Sequence, residues 1–170
     1  MQLPTFASKF LRTTLAGALL LAGLGAPAAL AQGPAPQPSG GRHIYSETAN
    51  PKADIAAAIA QARREHKRVL VDFGGDWCGD CQVLDIYFHQ APNAELLAKH
   101  FVLVHVWIGQ IDKNLDIPAK YGLPINKGVP ALAVLSPAGV VLYAQQKGEF
   151  NDMRHMDSSS VTEFLNKWKS

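Results

Sequence analysis

Apolar positions follow two rhythms along this chain. Val69-Leu-Val-Asp-Phe73, Phe101-Val-Leu-Val-His-Val-Trp-Ile108, Ala131-Leu-Ala-Val-Leu135 and Val140-Val-Leu-Tyr143 are short runs rich in β-branched and aromatic residues. Such runs predict strands, and Ser136-Pro-Ala-Gly139 is a turn sequence joining the last two. Between them the spacing changes. Ile55, Ile59 and Ala62 recur at helical intervals after Asn50-Pro51, which reads as an N-cap followed by proline at the first helical position. Cys81 to His89, Asn93 to His100 and Leu115 to Tyr121 predict further helical segments, and Val161, Phe164, Leu165 and Trp168 mark a last amphipathic helix. Strands alternating with helices predict an α/β domain, a central mixed β-sheet flanked by helices on both faces.

The N-terminus reads differently. Lys9 and Arg12 precede a stretch, Thr13 to Ala31, that carries no Asp, Glu, Lys or Arg. It holds the apolar core Leu15–Leu24 and ends in Ala29-Leu-Ala31, the pattern of a secretory signal cleaved after Ala31. Residues 32–42 form a Gly/Pro/Ser-rich linker, and the folded domain is expected over 43–170. After Ala31 the chain keeps 14 Lys+Arg against 14 Asp+Glu, so the formal +2 belongs to the signal. A charge-balanced domain has no electrostatic footprint for nucleic acid. No run after residue 31 approaches the roughly twenty apolar residues a membrane span needs.

The informative chemistry is Trp77-Cys78-Gly79-Asp80-Cys81, placed where a buried strand gives way to a helix. Free N–H groups and the helix dipole stabilise an anion at a helix N-terminus, and the thiolate is the nucleophile of thiol–disulfide exchange. Cys78 is expected to be the exposed attacking thiol, and Cys81, one turn inside, the one that resolves the mixed disulfide. Other readings compete. A structural disulfide would close only a short loop, a zinc site lacks a second cysteine pair, and two inert core cysteines would sit oddly beside a Gly-Asp turn. Asp72, a carboxyl at the end of a buried strand, is desolvated, which suits a proton acceptor near neutral pH.

The segment Val69-Leu-Val-Asp-Phe-Gly-Gly-Asp-Trp-Cys-Gly-Asp-Cys81 resembles the active site of the thioredoxin family, and the likeness continues through Ala119-Lys-Tyr-Gly122 and Gly128-Val-Pro-Ala-Leu132. The resemblance implies a thioredoxin-like fold in which Cys78 attacks, Cys81 resolves and Asp72 moves the resolving proton. It further implies a cis-proline at Pro130 facing the disulfide, with Val129 offering backbone hydrogen bonds to an extended substrate and Trp77 shielding the sulfurs. No cofactor is implied. The partners it implies are disulfide-containing proteins and an upstream thiol donor, expected to be a membrane protein.

Departures from the family pattern carry their own expectations. Gly79 and Asp80 occupy the potential-tuning positions between the cysteines. Asp80, with Asp76 nearby, reads as an exposed carboxylate opposing the Cys78 thiolate, hence a reducing couple. Gly74 replaces a tryptophan and is expected to open the rim of the site. No lysine lies within Phe101–Asp112 to accompany Asp72; His105 could take that place, but a satisfied core histidine is the favoured reading. Met153-Arg-His-Met156 could bind copper or simply pack. Together these features predict a monomeric periplasmic thiol–disulfide oxidoreductase that reduces protein disulfides, with an oxidase, an isomerase or a copper-binding module as alternatives.

Overall fold

The computed structural model describes residues 42–170. The expected signal and all of the expected linker but Arg42 lie outside the described residues.

The chain enters through an irregular segment, Arg42 to Asn50, before α1 (Pro51–Glu65). Asn50 caps α1 through its side chain, which accepts from Ala53 N, and His66 ends it in the left-handed conformation. β1 (Arg68–Gly74) then leads into α2 (Gly79–Phe88), α3 (Asn93–His100) and β2 (Phe101–Trp107). After α4 (Asp116–Lys120) come β3 (Ala131–Leu135), β4 (Val141–Ala144) and α5 (Ser158–Trp168). Element boundaries shift from expectation by a residue or two. The clearest shift is at α2, which begins at Gly79 because Cys78 itself serves as its N-cap.

The sheet runs in the order β2-β1-β3-β4. β1 and β2 are parallel, joined by the α2–α3 crossover, whereas β3 is antiparallel to β1 and β4. Alternation along β1 divides the core between the two faces of this mixed sheet. Val69, Val71 and Phe73 pack with Ile55, Ala58 and Ala62 of α1 and Ile117 of α4. Leu70 faces the other way, joining Leu84 and Phe88 of α2, Leu97 of α3 and Phe164 and Leu165 of α5. Each face is therefore sealed by helices, which explains why the central strands read as continuous apolar runs. The buried polar residue of β1 is Asp72, which by alternation falls on the side of Leu70. No helix among the described residues is long and apolar enough to cross a membrane.

Candidate active site

β1 ends at Gly74, and a short loop delivers Cys78 to the N-terminus of α2. Cys78 and Cys81 are joined as a disulfide with their Cα atoms 5.2 Å apart. Cys78 Sγ accepts from Cys81 N at 3.1 Å, so the sulfur takes the place that a capping oxygen usually fills. The same N–H and the helix dipole would hold a thiolate once the bond is reduced. Cys78 is more enclosed than its expected role as the exposed thiol suggests: 6% accessible, against 0% for Cys81. Val129 covers it, with its carbonyl oxygen 3.6 Å from Cys78 Sγ.

The Val129–Pro130 peptide is cis. Gln145, not foreseen from sequence, holds this turn. Its buried side chain donates to Pro130 O at 3.1 Å and accepts from Leu132 N at 3.2 Å. Trp77 lies half exposed above the site, anchored by Nε1–H donating to Gly109 O at 2.7 Å. A shallow groove of about 490 Å³ runs beside Cys78, lined by Trp77, Gly79, Val129, Asn151 and Arg154. The more enclosed cavity of about 230 Å³ between α1 and α4, lined by Lys52, Asp116 and Tyr121, lies away from both sulfurs.

Three expectations change. Asp80 is buried, not an exposed charge, because Arg154 seizes it. Asp80 Oδ1 accepts from Arg154 N at 3.0 Å and Nε at 3.2 Å, while Nη2 stands 3.1 Å from Oδ2. Burial disfavours the Asp80 anion, but these Arg154 contacts outweigh it and hold the carboxyl below its usual range. Its charge near Cys78 is thus largely offset. Asp76 is likewise occupied, accepting from Ile44 N and Tyr45 N at 2.9 and 3.0 Å.

Gly74 does not open the rim. A Cβ there would come within 2.6 Å of Tyr45 Oη and 2.8 Å of Cys81 Sγ, so the missing side chain is replaced by Tyr45. His105 is satisfied, but its partner is Asp72 itself: Nδ1 lies 2.9 Å from Oδ2. Parallel pairing sets these two residues directly opposite each other. Burial pulls the imidazole down, yet the hydrogen bond and charge of Asp72, with Asp85 and Asp76 beyond, leave it above an ordinary histidine. Tyr45 donates to the same Asp72 oxygen at 2.6 Å, and burial together with that carboxylate keeps its hydroxyl strongly protonated.

The Met-His loop resolves in favour of packing. Met153 is fully buried with Leu84, Phe88 and Phe150, and His155 turns to Asp152 at 2.6 Å. Tyr45 lies in a segment with no periodic signal, and Arg154 sits between two methionines, Met153 and Met156, whose pattern points to soft-metal chemistry.

A family model described as thioredoxin-like matches residues 50–137. Thioredoxin from Streptomyces clavuligerus is 33% identical over 82 residues, covering 48% of this chain and 68% of that protein. Thiol:disulfide interchange protein DsbD 1 of Pseudomonas aeruginosa is 25% identical over 118 residues, 68% of this chain and 18% of that protein. A crystal structure described as the disulphide isomerase from Xylella fastidiosa Temecula1 matches with a TM-score of 0.71 at 36% identity, covering 74% of this chain and 96% of the other. The reduced DsbD C-terminal domain of Neisseria meningitidis shares the fold, with a TM-score of 0.51 at 19% identity over 74% of this chain and all of that one.

Proposed function

This chain belongs to the thioredoxin-like family, and we propose that it is an exported thiol–disulfide oxidoreductase whose Cys78–Cys81 dithiol reduces disulfides in partner proteins. The observation that carries this reading is the placement of the two sulfurs. Cys78 caps a helix and faces the Val129–Pro130 turn, while Cys81 lies fully buried near Tyr45, the hydrogen-bond partner of Asp72. Cys78 thiolate attacks a partner disulfide. Val129, whose backbone already meets Cys78, aligns the partner strand, and cis-Pro130 keeps that backbone turned toward the sulfur. Cys81 then attacks Cys78 and releases the reduced partner.

Reduction over isomerisation is supported by the resolving step. In this reading Asp72, bound by the Tyr45 hydroxyl that crowds Cys81 Sγ beside Gly74, relieves Cys81 of its proton, which favours rapid completion over a lingering mixed disulfide. The charge of Asp80 no longer supports that direction, since Arg154 offsets it. Export rests on the pattern of residues 1–31 and implies the periplasm. Electrons then come from another thiol protein, in this reading a membrane donor, and the protein works as a monomer without a cofactor. A second reading, disulfide isomerisation, is favoured by the 36% identical structure described as an isomerase.

One experiment tests the exchange mechanism and a second separates the two readings. Cys81→Ser should trap partners as mixed disulfides, whereas Cys78→Ser should trap none. Reduced protein should reduce insulin quickly while reactivating a scrambled-disulfide substrate slowly; the reverse order would select the isomerase.

A further inference from the structure

Behind Cys81 lies a group of side chains that exchange between two sulfurs does not by itself require. Tyr45 Oη and His105 Nδ1 both meet Asp72 Oδ2, at 2.6 and 2.9 Å. The second oxygen, Oδ1, is the only buried side-chain polar atom among the described residues that lacks a hydrogen-bond partner. A buried unpaired oxygen is costly, so its persistence points to a task. Tyr45 Oη and Cys81 Sγ crowd the same point beside Gly74, which brings the network up to the resolving sulfur. At the other end, His105 borders an open hollow of about 400 Å³. Its side chain is 22% exposed, against 2% for Asp72.

We propose that His105 is the outlet through which Asp72 exchanges protons between Cys81 and solvent, and that Tyr45 is the positioning residue that holds the carboxylate for it. This rests on the oxidoreductase reading above. In the reduced protein Asp72 is a carboxylate and His105 an imidazolium. When Cys81 attacks, its S–H proton passes to Asp72 Oδ1. The Cys81–Cys78 bond forms, the bond from Cys78 to the partner sulfur breaks, and the partner leaves as a thiolate. With the carboxylate neutralised, His105 gives its Nε2 proton to water, from which the departing thiolate is protonated. Re-reduction by a donor dithiol reverses every transfer, so the cycle returns both groups to their starting states.

The surroundings suit an imidazolium in the resting state. Asp72 faces it from β1, Tyr45 meets it edge-on at 5.4 Å from the entering segment, and Asp54 of α1 lies across the hollow. Asp76 and Asp85 add negative charge from further away and raise its proton affinity in the folded protein. Tyr45 lies outside residues 50–137, the part matched to the family, so this half of the network comes from the chain's own entering segment.

The test follows one turnover of reduced protein with an aryl disulfide that liberates a coloured thiolate at each step. The first release reports Cys78 and the second reports Cys81. His105→Asn keeps a donor near the Nδ1 position but cannot carry the proton. It should leave the first release unchanged and slow the second about a hundredfold at neutral pH, the modest end of what a lost proton-transfer group costs. His105→Ala should be slow in the same step, and added imidazole, entering the hollow, should restore it. A second release at the wild-type rate in His105→Asn would overturn the proposal, as would a slowed His105→Ala that imidazole leaves unchanged. Should His105→Ala not fold, the two-phase kinetics of His105→Asn decide alone. A wild-type protein that liberates neither thiolate would overturn the oxidoreductase reading together with this one.

Discussion

Tyr45→Phe isolates a single interaction. The hydroxyl is buried and makes a 2.6 Å bond to the Asp72 carboxylate, whose other oxygen already lacks a partner. Everything else about the residue survives the change. Its backbone N–H remains tied to Asp76, and its ring keeps the edge-on contact with His105. A hydrogen bond to a charged group contributes about 1.5–3 kcal/mol, and removing it strands a buried acceptor further. For a domain between the sizes usually tabulated, each kcal/mol moves the melting point by roughly 3–5 °C, so a fall of about 5–15 °C is expected. Urea denaturation of the reduced protein, followed by Trp77 fluorescence, supplies the free energy with an unchanged slope. Adding Asp72→Asn completes a double-mutant cycle, in which the two losses should be strongly non-additive. A Tyr45→Phe cost below about 0.5 kcal/mol, within the ordinary range for surface changes, would refute the network as drawn.

Other perturbations probe the remaining contacts. Arg154→Gln frees the Asp80 charge beside Cys78 and should make the couple more reducing; Asp80→Asn should make it more oxidising, and the double variant should return toward wild type in a glutathione titration. Folding raises His105 above its ordinary value, so its contribution to stability is fully present below about pH 6.5 and is lost as pH rises through the folded value. His105→Asn should flatten that part of the stability–pH curve, as read by denaturant midpoints at several pH values. Gly74→Ala drives a methyl into Tyr45 and Cys81 and should cost about 1–3 kcal/mol in thermal unfolding, as overpacked cores do.

Much of the fold was legible because it is written in local periodicity. The apolar runs of β1 and β3, the Asn50-Pro51 start of α1 and the spacing of Val161 to Trp168 all report nearest-neighbour geometry that one segment can encode. The cysteine pair at a strand–helix junction was legible for the same reason. What escaped was long-range. Asp80 and Arg154 are 74 positions apart, and neither has a pattern that names the other. Asp80 read as exposed because a carboxylate without a visible partner is assumed to be solvated. Gly74 read as a gap because the filler, Tyr45, lies in an irregular segment with no rhythm of its own. His105 was nearer to legible. Once β1 and β2 pair in parallel, its register opposite Asp72 is set, but that register requires the crossover to be known.

The most direct test of the central claim is the reduction potential of the Cys78–Cys81 couple, equilibrated against glutathione and read by Trp77 fluorescence. A reductase predicts a value near about −270 mV, where thioredoxin lies. A value near about −120 mV, in the range of strong disulfide oxidants, would contradict the account and make the protein a disulfide donor.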